Sequence, residues 1–282
     1  VSGELGEVEA SAPAQTDDNP ATEESPHSRG GHTQSPSSNG DVSSPGSPGS
    51  PGSGGDKGEA SRPVARRSAN EWPAAKKLAY LRERNVGDCR RCPLAATRRN
   101  IVFGVGDPEA DLMFVGEAPG ADEDRLGQPF VGAAGRRLDS WLEQLGLGRE
   151  QVYIANVLKC RPPRNRDPQP NEIERCSPFL HAQIRAVQPK VIVALGRFAG
   201  CLLLGRDHKL YEMRGRVHRY REPKSGAEIP LVVTYHPSYV LRREQSPRDA
   251  RGPQARPDRG GAIKSEEQKV LADLDRALSL TR

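Results

Sequence analysis

Four short runs of consecutive apolar residues set the framework of the chain: 111–115 (DLMFV), 152–155 (VYIA), 191–195 (VIVAL) and 231–235 (LVVTY). Runs of this length, bounded by polar or glycine-bearing segments, predict strands buried on both faces. The segments between them repeat with helical spacing instead. In 135–145, Leu138, Trp141, Leu142 and Leu145 fall on one side of a helix, and in 266–280 Val270, Leu271, Leu274 and Leu278 do the same. Residues 72–85, rich in Ala, Leu, Lys, Arg and Glu, predict a helix near the start of the patterned region. A further helix is predicted over 172–187, opened by Asn171 as N-cap after Pro170 and closed before Pro189, and an apolar one over 198–204. Alternating strands and helices imply an α/β fold of three layers, α/β/α, around a mainly parallel four-stranded sheet. Such sheets bind ligands beyond the carboxyl ends of their strands. The polar motifs fall there: Glu117 after the first strand, Asn156 after the second and His236 after the last.

Composition changes the domain picture. Only 34% of residues are hydrophobic, against about 45–50% in globular chains, and the deficit is local. Residues 1–70 are dominated by Ser, Pro, Gly and acidic side chains, as in 43–50 (SSPGSPGS). They lack the apolar surface to offset ordering entropy and predict a disordered tail. The remainder, 71–282, suits one domain, with a basic, Arg-, Pro- and Gly-rich insertion at 245–262 (QSPRDARGPQARPDRGGA) that reads as flexible. Residues 1–60 carry ten acidic and two basic side chains, a net of −8, so against +5 overall the rest carries +13. A strongly basic body points to a polyanionic partner. No apolar run approaches the roughly 18 residues that span a bilayer, and 1–10 lacks the features of a secretory signal. A soluble, cytoplasmic, nucleoid-associated protein with free thiols is therefore expected.

Cysteine spacing supplies the first candidate chemistry. Cys89 and Cys92 form C-x2-C, and Cys160 and Cys176 form C-x15-C. Two distant pairs in a chain of free thiols suggest a metal or cluster site. The second pair spreads over a Pro- and Arg-rich loop and the start of a helix, which suits an iron–sulfur cluster better than a zinc ribbon of two tight knuckles, though spacing alone leaves both open. Cys201, in an apolar run, reads as a buried core thiol.

The loops at the strand ends carry a resemblance. Residues 116–135 (GEAPGADEDRLGQPFVGAAG), 156–163 (NVLKCRPP), 236–242 (HPSYVLR) and 89–94 (CRRCPL) together resemble family 4 uracil-DNA glycosylases, the [4Fe-4S] bacterial and archaeal branch of that superfamily. The likeness spans about residues 75–243 and resumes in the last helix. It implies that Cys89, Cys92, Cys160 and Cys176 hold a [4Fe-4S] cluster and that DNA containing uracil is the partner of a monomeric enzyme.

Excision of a base requires that it be flipped out or met on a single strand. By the resemblance, Phe130 stacks on the base and Asn156 reads its edge, where an amide offers the donor and acceptor that uracil O4 and N3–H require. His236 donates to O2 as the base leaves with negative charge. Glu117 is the carboxylate near the sugar. Some relatives carry an Asp at the position of Ala118, so Glu123 and Asp124 are alternatives for activating water; Glu123 is also placed to crowd the C5 position and exclude thymine. Gly116 and Gly120 permit close backbone approach. Ser238, Leu241 and Arg242 belong to a segment expected to wedge into the base stack, and Arg161, Arg164 and Arg166 are candidate phosphate contacts. Without the resemblance, Phe130 reads first as a core residue, while a turn role for Asn156 or His236 and solvated charge for the arginines stay open as alternatives. A covalently trapped uracil-binding relative is disfavoured because no His lies between Asn156 and Cys176. A non-catalytic DNA-binding module and a zinc protein remain as rivals.

Overall fold

The computed structural model describes residues 71–245 and 265–282, so the tail and all but the first residue of the basic insertion lie outside the described residues. The helix expected near position 72 begins as α1 (Ala74–Tyr80) and widens into a π-turn over Leu81–Val86. The alternation then runs β1 (Val105–Gly106), β2 (Leu112–Gly116), α2 (Ala121–Leu126), α3 (Ala133–Gln144), β3 (Tyr153–Asn156), α4 (Pro170–Val187), β4 (Val191–Leu195), α5 (Arg197–Leu204), α6 (Leu210–Met213), β5 (Val217–Arg221), β6 (Glu228–Thr234), α7 (Pro237–Glu244) and α8 (Glu266–Ser279). The sheet has six strands in the order β1-β3-β2-β4-β6-β5. Its four central strands are the predicted ones and are parallel. The two edge strands, absent from the sequence reading, pair antiparallel.

Because side chains alternate along a strand, each fully buried strand feeds two cores. Met113, Val115, Ile192, Ala194, Leu231 and Val233 face a core shared with Leu180 and Ile184 of α4. Leu112, Phe114, Val193, Leu195 and Val232 face the other core, with Leu138 and Trp141 of α3 and Val270 and Leu274 of α8. The three-layer expectation therefore holds.

Three local expectations are corrected. The N-cap of α4 is Gln169, with Pro170 in the first turn; the Glu172 carboxylate accepts the Gln169 N–H at 2.9 Å. Helix α4 thus starts two residues earlier than an Asn171 cap would allow, since proline's fixed φ suits the first helical position. Cys201 is half-buried, not enclosed: its sulfur accepts the His208 N–H at 3.4 Å in the turn after α5. The 237–244 segment is helix α7, with Val240 packed in the core.

One buried ion pair fastens α8 behind the end of β6. Asp273, 2% exposed, accepts from Arg214 at 2.7 Å and from the Thr234 hydroxyl at 2.8 Å. The Arg214 guanidinium also lies 4.5 Å from the Tyr235 ring. Removing one partner of such a pair leaves an uncompensated buried charge, so Asp273→Ala should lower unfolding free energy by about 3–5 kcal/mol. Urea denaturation checks this.

Candidate active site at the carboxyl ends of the parallel strands

Strand order reverses around β2: the chain passes to β3 on one side and returns to β4 on the other. The crevice of such a sheet opens at this point. A cleft of about 480 Å³ lies there, lined by Glu117 and Gly120 after β2, Asn156 at the end of β3, Arg197 after β4, and His236, Ser238 and Arg242 after β6. Phe130 and Glu123 complete it from the segment between β2 and α3. Glu117, Glu123, Phe130, Asn156, His236, Ser238 and Arg242 are thus brought together from separate parts of the sequence.

Phe130 is held in a strained backbone. Its φ is +54°, in the left-handed region, and its ring is 4% exposed. Arg149 donates to the Phe130 carbonyl at 2.6 Å and to the Pro129 carbonyl at 2.7 Å, and is itself paired with Asp139 at 3.0 Å. A Cβ on Gly135 would collide with the Phe130 carbonyl, so only glycine lets α3 approach. From the other side, Glu123 accepts the N–H groups of Gly120, Val131 and Gly132 at 3.0, 2.9 and 2.9 Å. Both Glu123 oxygens are thereby engaged in shaping the loop. Asp124 is likewise occupied, accepting from the Arg99 N–H at 2.9 Å. Of the three carboxylates Glu117 and Glu123 line the cleft, and the oxygens of Glu123 are given to the loop.

Asn156 is 2% exposed, and among the described residues its Oδ1 has no hydrogen-bond partner. A buried acceptor without a donor costs about 1–3 kcal/mol; here it lies in the wall of a cleft. A Cβ on Gly116 would clash with that oxygen and lie 2.5 Å from Phe130 Cζ. The glycine therefore keeps the amide and the ring side by side.

His236 caps the start of α7. Its Nδ1 accepts the Ser238 N–H at 3.2 Å and lies 2.8 Å from the Ser238 hydroxyl. Since a backbone N–H only donates, Nδ1 is bare and the imidazole proton sits on Nε2. Burial, with Arg242 nearby, lowers the pKa to about 4, so the ring is neutral at physiological pH. Its ring lies 5.6 Å from that of Phe130. Ser238, expected at the DNA, thus also fixes the histidine tautomer, and Arg242 donates to the Ser238 hydroxyl at 3.2 Å.

Burial pushes Glu117 up to about 7, reinforced by Asp167 and opposed by Arg242. Asp167, which sequence reasoning missed, is in the cleft lining; only its place in the Arg- and Pro-rich loop could have flagged it. Leu241 is half-buried on α7 and outside the cleft lining. Arg161 is bonded to Asn165 at 2.7 Å, whereas Arg166 is held by buried Glu172 through contacts of 2.9 and 2.6 Å. Arg164 is exposed.

Cys89, Cys92, Cys160 and Cys176 line one void, with Val86 at the end of the π-turn and Arg175 and Phe179 of α4. The Lys159 N–H donates to Cys176 Sγ at 3.3 Å, and Arg98 lies 3.7 Å from Cys160 Sγ while donating to the Cys89 carbonyl at 2.7 Å. Among the described residues no group of three His, Cys, Asp or Glu is gathered closely enough to hold a single metal ion.

The family model for the uracil DNA glycosylase superfamily matches residues 103–256. The chain is 47% identical over 166 residues to a type-4 uracil-DNA glycosylase of Archaeoglobus fulgidus, covering 57% of this chain and 82% of the relative. It is 41% identical over 172 residues to the type-4 enzyme of Thermotoga maritima, covering 61% and 87%. Identity to a type-5 uracil-DNA glycosylase of Thermus thermophilus is 31% over 192 residues, covering 56% and 84%. With the strand-end motifs gathered in one cleft and matches of this extent, the chain belongs to the uracil-DNA glycosylase superfamily and stands with its type-4 members.

Proposed function

We propose that this chain is a monomeric uracil-DNA glycosylase of base excision repair. It hydrolyses the N-glycosidic bond of deoxyuridine in single- or double-stranded DNA, releasing uracil and leaving an abasic site. The observation that carries this reading is the unpartnered, buried Asn156 Oδ1 beside the Phe130 ring. A uracil seated on that ring brings its N3–H to the vacant acceptor and its O4 to the amide nitrogen. Cytosine presents the opposite pattern and would leave buried groups unpaired.

The C1′–N1 bond breaks with its electron pair passing into the base. Negative charge grows on O2, where a neutral His236 donates from Nε2. Water adds its oxygen to C1′ and yields a proton to Glu117, whose carboxylate also stabilises the cationic sugar. Arg242, in the cleft lining, is assigned to the DNA around the extruded nucleotide, and Arg161 and Leu241, outside that lining, to its flanks. Among the described residues no helix is long and apolar enough to cross a membrane.

The four cysteines fit a [4Fe-4S] cluster: they line one void, and N–H donors already stand at two of the sulfurs. When bound, the cluster supplies a cross-link between the loop after α1 and the β3–α4 segment. Cys160→Ser should therefore lose most of the roughly four irons per chain and the visible absorbance, with a lower melting temperature. Cys201→Ser should keep both. Iron analysis and the absorption spectrum decide.

The function is tested with a labelled oligonucleotide bearing one uracil, treated with hot alkali after incubation. Cleavage at uracil, with a thymine control intact, is expected. An intact uracil strand bound by the protein would replace the enzyme with a binding module.

A further inference from the structure

Lys159 is 1% exposed, and its ammonium meets no carboxylate among the described residues. Its Nζ donates instead to the main-chain carbonyl of Asn156 at 2.7 Å and to Gln183 Oε1 at 2.5 Å. Gln183 Nε2 in turn donates to the Phe103 carbonyl at 2.8 Å and to Tyr153 Oη at 3.2 Å. Lys159 also lines the cysteine void, but the acceptors that its ammonium bonds are neutral; burying a charge on such partners is costly, and an apolar side chain of equal length would fill the same space without that cost. The position of the charge must therefore be sought in what it holds.

Sheet register shows what that is. The Val157 N–H bonds to the Gly116 carbonyl on β2, so by strand alternation the Asn156 carbonyl faces the β1 side. Strands β1 and β3 pair Val105 with Ile154 and Gly106 with Tyr153. Continued antiparallel, that register would set Phe103 opposite Asn156, but the pairing stops before it reaches them. Two main-chain carbonyls are left at the gap, and both are acceptors. The Lys159–Gln183 bridge supplies donors to each. It thereby fixes the peptide of Asn156 where the ladder lapses. Lys159 is also fastened at its own main chain, where its N–H donates to Cys176 Sγ at 3.3 Å and its carbonyl accepts the Val102 N–H at 2.8 Å.

We propose that Lys159 is a positioning residue that holds the Asn156 amide in register with the base and ties that register to the cysteine-bearing loop. This rests on the reading of Asn156 as the group that recognises uracil. A misplacement of about 1 Å in a reacting geometry can cost on the order of 10²-fold in rate.

The test is a double-mutant cycle on single-turnover uracil excision with Lys159→Met, Asn156→Ala and the double variant. Lys159→Met should lower the rate about 10- to 100-fold in the parent background. In the Asn156→Ala background it should lower it by less than about threefold, because the group it positions is gone. Additive losses, or an unchanged rate for Lys159→Met, would overturn the proposal while leaving Asn156 as the reader. A parental rate for Asn156→Ala would be a different result, removing the reading on which the proposal rests. If Lys159→Met loses its iron, Gln183→Leu replaces it in the same cycle. That change loosens the bridge without touching a residue adjacent to a cysteine; the same non-additivity is expected, and additivity again overturns the proposal.

Discussion

Asn156→Ala should lower uracil excision by about 10³-fold, the rate equivalent of roughly 4 kcal/mol, while retaining the iron and the melting temperature of the parent. The magnitude follows from the two hydrogen bonds that the amide offers. Each is worth more in a cleft wall than in water, because the alternative for the base edge is an unpaired buried group. Oδ1 already stands in that condition in the absence of a base. Its removal therefore relieves a buried acceptor in the free protein while depriving the bound base of a partner, so the loss falls on catalysis and not on folding. Phe130 keeps its place because its loop is held by Arg149 and Glu123 through main-chain bonds that do not involve Asn156. Single-turnover kinetics on a uracil oligonucleotide, beside iron analysis and thermal melting, checks the three parts together. A loss of less than about tenfold, worth about 1.4 kcal/mol, would remove Asn156 from base recognition.

The parts of this site that were legible in the sequence share a physical origin. A central parallel strand is buried on both faces, so it must be written as an uninterrupted apolar run, and β2, β3, β4 and β6 were found that way. The loop that follows each run is then located without further knowledge, which placed Glu117, Asn156 and His236 correctly at one end of the sheet. The edge strands escaped for the complementary reason. Strand β5 buries only Tyr220 fully and turns Arg219 and Arg221 outward, and β1 has two residues. Neither bears a pattern that distinguishes it from a loop. The segment 238–242 was expected to form a wedging loop, as the family resemblance implies. In the fold it is a capped helix start, with proline in the first turn. Functions that depend on main-chain atoms were hidden altogether. Glu123 reads as an acid in a motif, yet its oxygens are given to three N–H groups. Ser238 reads as a DNA contact, yet its N–H fixes a tautomer. Lys159 reads as one more basic residue beside a cysteine, and only the lapse in strand pairing shows what it bridges.

Glu117→Gln should slow excision by about 10²–10⁴-fold and should also abolish the pH dependence that the parent shows near neutrality. Burial, with Asp167 beside it, raises the Glu117 pKa to about 7. A group that takes a proton from water acts as its carboxylate, so the parent's rate should climb with pH through about 7 and then level. His236 contributes no second inflection above about pH 5, since its pKa is about 4 and the ring stays neutral throughout. The flanking charges give the assignment an internal check. Asp167→Asn should move the inflection to lower pH, and Arg242→Ala should move it to higher pH, because Asp167 raises the Glu117 pKa and Arg242 lowers it. Stability should run against activity. A raised carboxyl pKa means that the native state binds the proton more tightly than the unfolded chain does. The resulting stabilisation is present in full below the ordinary value of 4.5 and is lost as pH rises through about 7. Glu117→Gln, which has no charge to desolvate, should therefore melt above the parent at pH 8 and close to it at pH 4. A variant that is inactive but more stable at pH 8 would show a site that keeps an unfavourable charge because the chemistry uses it. A parent profile flat from pH 5 to 9, or a Gln variant that keeps half the parental rate, would release Glu117 from that role.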